Sequence, residues 1–363
     1  MIRGIYEAVG SFGWTIILFT LILKAITLPI EIWQRSVSHK NAQKMKIMRP
    51  MIEKIDKAYG ENKRGAQAEK NKLFKKNGYS QVAGCIPTLI TMAIFIFMMI
   101  GLSGYTAHTN ASQYVQLQTE YYSTIETEFQ SKYAVKYGKP GNFSFNEIDD
   151  FRLEKNAEGK YVFEDEDYKA LIEAAQKAVG EKANDLRENF LWIKNIWRPD
   201  TWEKVMADYK QFSGGTLGMR AVPGVAEGEY NIIYEGVLEA AGKTEGMGSW
   251  NGLLLLPLLS LITQFLSMHV TMKAQAGAVP TPTGAAGDPA AQSQKMMKWM
   301  MPIMMVSFTL FYTAAFALYI SSNAILSIIS NLTMTPIIKR RHDKKPPSKT
   351  AKGGGKNEVS YRR

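Results

Sequence analysis

The chain has 363 residues, of which 46% are hydrophobic, with 44 Lys and Arg against 33 Asp and Glu and a formal net charge of +11. Its apolar side chains are gathered into a few long runs, which excludes an ordinary soluble globular protein and points to a multi-span membrane protein with soluble inserts. The single cysteine, Cys85, excludes an internal disulfide framework.

The segment 1–34 opens with a lead-in, Ile2 to Phe12, that lacks the layout of a cleavable signal, so the first span is expected to be retained. That span, Trp14 to Gln34, carries Lys24 close to its middle, on the order of 16 Å from Arg35 at about 1.5 Å per residue. An ammonium there costs roughly 2.5–3.5 kcal/mol on insertion scales, so it marks a candidate functional site. Thr20, Lys24, Thr27 and Glu31 follow at helical spacing and share one face of the helix. A polar stripe inside a bilayer points at something wet. The alternative is a lysine that snorkels out of an ordinary anchor helix.

Segment 35–84 reads as two helices ended by Gly60 and Gly78, a helical hairpin with Met45, Met48, Ile52 and Ile55 three or four residues apart. Such a methionine-rich seam suits changeable contacts with captured segments, or it packs the two arms together. The second span, within 85–103, opens at Cys85-Ile86-Pro87 with proline in the first turn, and Thr88 and Thr91 share a face near its inner end. Gly101-Leu102-Ser103-Gly104 has the look of an intramembrane protease motif, but His269 would lie roughly 25 Å away along the helix axis.

Residues 104–249 are long enough for a domain of their own. Helices are expected at 168–179, 185–197 and 230–241, with a short strand near 160–163 and with Trp192, Trp197 and Trp202 at a membrane interface. A Gly-Lys-Thr ending at Thr244 has neither the spacing nor the preceding strand of a phosphate-binding loop. The third span, in 250–272, carries Ser260, Gln264 and Ser267 on one face, and 273–296 is an Ala-, Gly- and Pro-rich loop. Residues 297–334 hold the fourth and fifth spans, separated by Tyr312 and Thr313, with Tyr319, Asn323, Ser327 and Ser330 on one stripe of the fifth. A basic tail, 335–363, is expected to be disordered, and Lys339, Arg340, Arg341, Lys344 and Lys345 suit anionic lipid or ribosomal phosphates.

Charge sets the expected topology. Residues 35–84 hold 13 Lys and Arg against 4 Asp and Glu, the tail holds 10 against 2, and 103–252 holds 16 against 24. Basic short segments stay inside, so five spans place the N-terminus outside, the hairpin and C-terminus in the cytoplasm, and the acidic insert outside.

Several segments in register resemble the YidC/Oxa/Alb family of membrane protein insertases: TLILKAITLPI (20–30), MKIMRPMIEKIDKAYG, CIPTLITMAIF (85–95), FLWIKNI (190–196), LLPLLSLITQFLS, and MMKWMMPIMM followed by FALYISSN. The resemblance implies an all-α polytopic membrane protein of a bacterial plasma membrane. Its five transmembrane helices would surround a hydrophilic groove, with a cytoplasmic helical hairpin and a mostly helical extracellular insert. The implied work is insertion and folding of nascent membrane proteins without nucleotide hydrolysis, cofactor or metal, beside a ribosome or the general secretion channel. Lys24 stands where the family has arginine, Thr91 and Ala93 where glutamine and proline are usual, and Thr313 and Ala315 where proline and glycine are usual. The insert also differs in position, lying between the second and third spans. A rival from another class is a secondary transporter or channel that uses Lys24 for an anion, although no inverted repeat is visible.

Overall fold

The structure is a computed structural model, and it describes residues 2–60, 62–79, 82–133, 154–155, 161–162, 166–215, 218–242, 246–274, 300 and 303–343. Most of these are helical.

After a short helix α1 (Ile2–Val9), α2 (Phe12–Tyr59) runs unbroken for 48 residues, about 72 Å at the α-helical rise. It therefore carries both the first span and the first arm of the hairpin. Pro29 and Pro50 lie inside it, and each removes one backbone hydrogen bond and marks a bend point. Gly60, at φ 48, ends the helix in a backbone conformation that favours glycine. The side chain of Asn62 then caps α3 (Lys63–Lys76) by accepting from Gly65 N at 3.0 Å. The returning α3 packs Phe74 against Met45, Met48 and Ile52, and Lys70 pairs with Asp56 across the hairpin at 2.5 Å.

The second long helix, α4 (Val82–Glu128), has 47 residues. Its apolar half spans, and its polar half continues into the insert, where Tyr114, Leu117, Tyr121 and Ile125 recur every three or four residues and face one core. A π-helical turn, Phe129–Tyr133, ends it. Against that stripe pack α5 (Glu166–Leu186) and α7 (Glu227–Ala240), with the short α6 (Tyr209–Ser213) beside them. The α5 and α7 backbones meet at two glycines: a Cβ at Gly236 would lie 2.7 Å from Gln176 O, and one at Gly180 would lie 2.9 Å from Gly236 O. Among the described residues two short strands, β1 (Glu154–Lys155) and β2 (Tyr161–Val162), interrupt the helical pattern, paired antiparallel. The second falls where a strand was expected. The helix expected over 185–197 is absent, because α5 stops at Leu186 and the chain turns through Leu191 at φ 55, with Phe190 and Ile193 bridged backbone to backbone.

Helix α8 (Leu255–Ala274) and helix α10 (Ala314–Asp343) are two further long apolar helices, with α10 packed along both α8 and α2. A shorter helix, α9 (303–311), precedes α10 and is separated from it by Tyr312 and Thr313. Among the described residues four helices, α2, α4, α8 and α10, are long and apolar enough to cross a membrane. The fourth expected span, 297–311, lies partly outside those residues. Leu258, Ile262 and Leu266 on α8 and Ile325, Ile329 and Leu332 on α10 are exposed at helical spacing, an apolar surface suited to lipid tails. Helix α10 carries on to Asp343, so the first nine residues of the basic tail are helical.

The segment after α5 clasps the N-terminal ends of α8 and α10. Asp200, fully buried, accepts from Leu253 N and Leu256 N at 2.7 and 2.6 Å and from the Trp192 indole at 3.1 Å. A carboxylate at the start of α8 satisfies amides that the helix itself cannot. Ala314 N and Ala315 N donate to the carbonyls of Arg198 and Ile196 at 2.8 and 3.0 Å, which does the same for α10. Asn195 and Asn251 bond reciprocally at 2.8 and 2.9 Å. The buried Arg198 guanidinium bonds Glu203 and Gln211, and burial pushes it below its usual range while Glu203 opposes the shift. Trp197, expected at a membrane interface, is instead buried against Phe12 in the core of this clasp; Trp202 is exposed. Gly252 is obligatory here, since its Cβ would fall 1.8 Å from the Asp200 carboxylate.

Asp200→Ala would remove the acceptor of the part-buried Leu253 amide and strand the buried Leu256 amide, at a cost of about 1–3 kcal/mol for the buried unmade hydrogen bond. The expected result is a clear drop in thermal midpoint in detergent, read by intrinsic tryptophan fluorescence, whereas Glu7→Ala on exposed α1 leaves the midpoint in place.

Candidate functional site

The site is assembled from two helices whose sequences put polar residues at matching depth. On α2, Lys24, Glu31 and Arg35 stand at i, i+7 and i+11 and so share a face. On α10, Ser327 and Ser330 stand opposite them. The Lys24 ammonium donates to Glu31 Oε1 at 2.6 Å and to Ser327 Oγ at 2.7 Å. Arg35 reaches Glu31 Oε2 at 3.1 Å, Ser330 O at 2.6 Å and Ser330 Oγ at 2.8 Å. Ser330 Oγ lies 3.4 Å from Glu31 Oε2 and closes the cluster.

Lys24 and Glu31 are two helical turns apart, about 10 Å along the axis, so the lysine chain extends toward the Arg35 end rather than sideways into lipid. Its head is brought down to a carboxylate and a hydroxyl on the protein's own polar face. The side chains of Lys24, Glu31 and Arg35 keep only 10%, 16% and 10% of their surface exposed. At that burial an unpaired charge is costly. Two cations against one carboxylate leave the cluster one positive charge in excess.

Of the other groove candidates, Thr20 is buried and bonds its own helix at Ile16 O, and Thr27 bonds Lys24 O at 3.2 Å. Tyr319 is buried among the aromatic residues near Phe316, while Gln264 and Asn323 are half-buried. None of the three bonds the Lys24 cluster among the described residues. Thr88 and Thr91 lie on α4, but their side chains fall outside the described residues. Ser260 and Ser321 bond at 2.7 Å, and Asn331 donates to Thr271 at 2.9 Å, so the polar groups of α8 tie it to α10. Arg35 was not among the expected site residues, and Ser330 was expected only as a member of the polar stripe on the last span. The signal for Arg35 was present, since it stands four residues after Glu31 and can pair with it on a helix.

Met45, Met48, Ile52 and Ile55 are all buried within or beside the hairpin core, which corresponds to the packing alternative for that stripe. Among the described residues of the hairpin, the exposed large apolar side chains are Ile47 and Met51, four apart on the other face of α2. Of the basic tail, Arg340 is exposed on the last turns of α10. The Lys339 and Arg341 side chains and all of Lys344 and Lys345 lie outside the described residues.

These features define a multi-pass α-helical membrane protein with a buried, ion-paired polar cluster between two of its spanning helices. Residues 4–127 and 168–342 match the family described as 60Kd inner membrane protein, and the chain belongs to that family, the YidC/Oxa/Alb family. Among similar proteins is the membrane protein insertase YidC of Clostridium perfringens, 38% identical over 111 residues that cover 29% of this chain and 45% of the relative. The insertase YidC of Dechloromonas aromatica is 28% identical over 103 residues, covering 28% of this chain and 18% of the relative. An inner membrane ALBINO3-like protein 1 from the chloroplast of Chlamydomonas reinhardtii is 37% identical over 93 residues, 26% of this chain and 18% of the relative. The chain thus spans well under half the length of most of these relatives.

Met48→Ala would empty a fully buried site in the hairpin, at a cost of about 2–5 kcal/mol. Amide hydrogen exchange across residues 63–76 should speed up accordingly, while Ile47→Ala, at an exposed position, leaves exchange there unchanged.

Proposed function

We propose that the protein inserts client membrane proteins and helps them fold, using a hydrophilic groove lined by α2 and α10 around Lys24. The observation that carries this reading is the Lys24–Glu31–Arg35 cluster bonded to Ser327 and Ser330, found in a chain of the insertase family. A polar cavity reaching partway through the bilayer shortens the dry path for a client's hydrophilic flank, so less of its desolvation cost must be met. Burial of the client's apolar helix supplies the driving force, and no nucleotide is required.

In this reading five helices cross a bacterial plasma membrane, with the fourth span over 297–311, the N-terminus and the acidic insert outside, and the hairpin and C-terminus in the cytoplasm. Clients approach from the hairpin side, where Ile47 and Met51 offer exposed apolar surface. The basic end of α10 and the residues beyond it hold the ribosome or anionic lipid through phosphate contacts, and the secretion channel is a further partner for large clients.

The test is insertion of a single-span client with an acidic external flank into liposomes containing the purified protein. Native protein and Lys24→Arg are expected to insert the client, and Lys24→Ala to lose about tenfold or more, the scale of one charge pair in a partly dehydrated site. Equal insertion by all three would remove Lys24 from the mechanism. Insertion by none, with anion uptake that depends on Lys24, would favour the transporter.

A further inference from the structure

We propose that Glu31 is a resident counterion that sets which client flanks the groove accepts, selecting for one acidic group; this rests on the insertase reading above. Lys24 is not a bare positive charge waiting for a client. Glu31 Oε1 already lies 2.6 Å from its ammonium, where an incoming carboxylate would have to sit. The other oxygen, Oε2, is held separately by Arg35 at 3.1 Å and by Ser330 Oγ at 3.4 Å. Division of the carboxylate between two cations makes exchange possible. When a client carboxylate displaces Oε1, Glu31 keeps its bonds to Arg35 and Ser330 and no charge is stranded.

The lysine can receive the newcomer before it releases the old partner. An ammonium has three donors, and among the described residues Glu31 and Ser327 take two of them. Charge balance then fixes the stoichiometry. Two cations and one carboxylate leave an excess of +1, and a single client carboxylate brings the cluster to zero. A second would create an unbalanced negative charge at a site where the side chains are only 10–16% exposed, which burial penalises. A flank without acid leaves the excess charge in place.

Changing the cluster's own charges should therefore shift the preferred client in a defined order. In liposomes containing the full chain, insertion is measured by protease protection for three single-span clients that differ only in carrying zero, one or two aspartates in the translocated flank. Native protein should insert the one-aspartate client best, by about three- to tenfold over the others, the effect of a single charge in a half-hydrated site. Glu31→Gln, with excess +2, should move the optimum to two aspartates. Arg35→Gln, with a balanced Lys24–Glu31 pair, should move it to none.

Thermal unfolding of each variant establishes that it folds, and should Glu31→Gln fail to fold, Arg35→Gln decides the matter. An optimum that stays at one aspartate in the folded variants overturns the proposal. Loss of insertion in Lys24→Ala alongside that result would leave the groove reading intact; full insertion by Lys24→Ala would overturn that reading as well.

Discussion

The arrangement of the spanning helices depends on how the N-terminal ends of α8 and α10 are satisfied. A helix begins with backbone amides that have no partner of their own, and in an apolar setting each unmade bond is costly. Here the segment 195–200, distant in sequence from both helices, supplies every acceptor described above: Asp200 for α8 and the carbonyls of Ile196 and Arg198 for α10. Because one short segment holds both helix starts, the spacing between α8 and α10 at that end is fixed by backbone geometry rather than by side-chain packing alone. Phe190 and Trp197 then wedge against α2 at Gly13 and Phe12, which brings the third helix into the same register.

With one end fixed in this way, the other end can be polar. The Lys24 cluster lies between α2 and α10 toward the Arg35 end, where three ionised groups and two serines replace hydrophobic contact. Buried ion pairs are a weak source of stability compared with apolar packing. Between two helices locked elsewhere, such a cluster is held by directed bonds rather than by close apolar packing. The insert contributes in a different manner. Its core is built on the continuation of α4, so the domain is an extension of a spanning helix rather than a body joined by a linker.

Much of this was legible in the chain. The spacing of Thr20, Lys24, Thr27 and Glu31 put Lys24 and Glu31 on one face of the helix, where the two are ion-paired, and the stripe on the last span included Ser327 and Ser330, which bond Lys24 and Arg35. Which members of that stripe would do so was not legible, because Tyr319 and Asn323 have the same period and only packing separates them. The length of α4 escaped notice for another reason: beyond residue 103 its apolar residues continue every three or four positions, but polar neighbours lower the mean hydropathy. Residues 185–197 show the opposite error, with an amphipathic pattern that serves two cores through a turn. Asp200 offered no local signal, since the amides it caps lie more than fifty residues onward.

The unbroken course of α2 links two regions that hydropathy separates. From Arg35 to Tyr59 the helix extends about 36 Å past the charged cluster at 1.5 Å per residue, and the hairpin is built on that extension. Pro29 stands between Lys24 and Glu31 and leaves the Ala25 carbonyl without its helical donor. It is thus a fulcrum set inside the ion-paired face itself. A change of direction of about 10° there sweeps the hairpin tip, about 45 Å from Pro29, through about 8 Å at the same helical rise, and alters the distance over which the Lys24 and Glu31 side chains must reach. Mechanical load on the hairpin and the electrostatic state of the cluster are two ends of one lever.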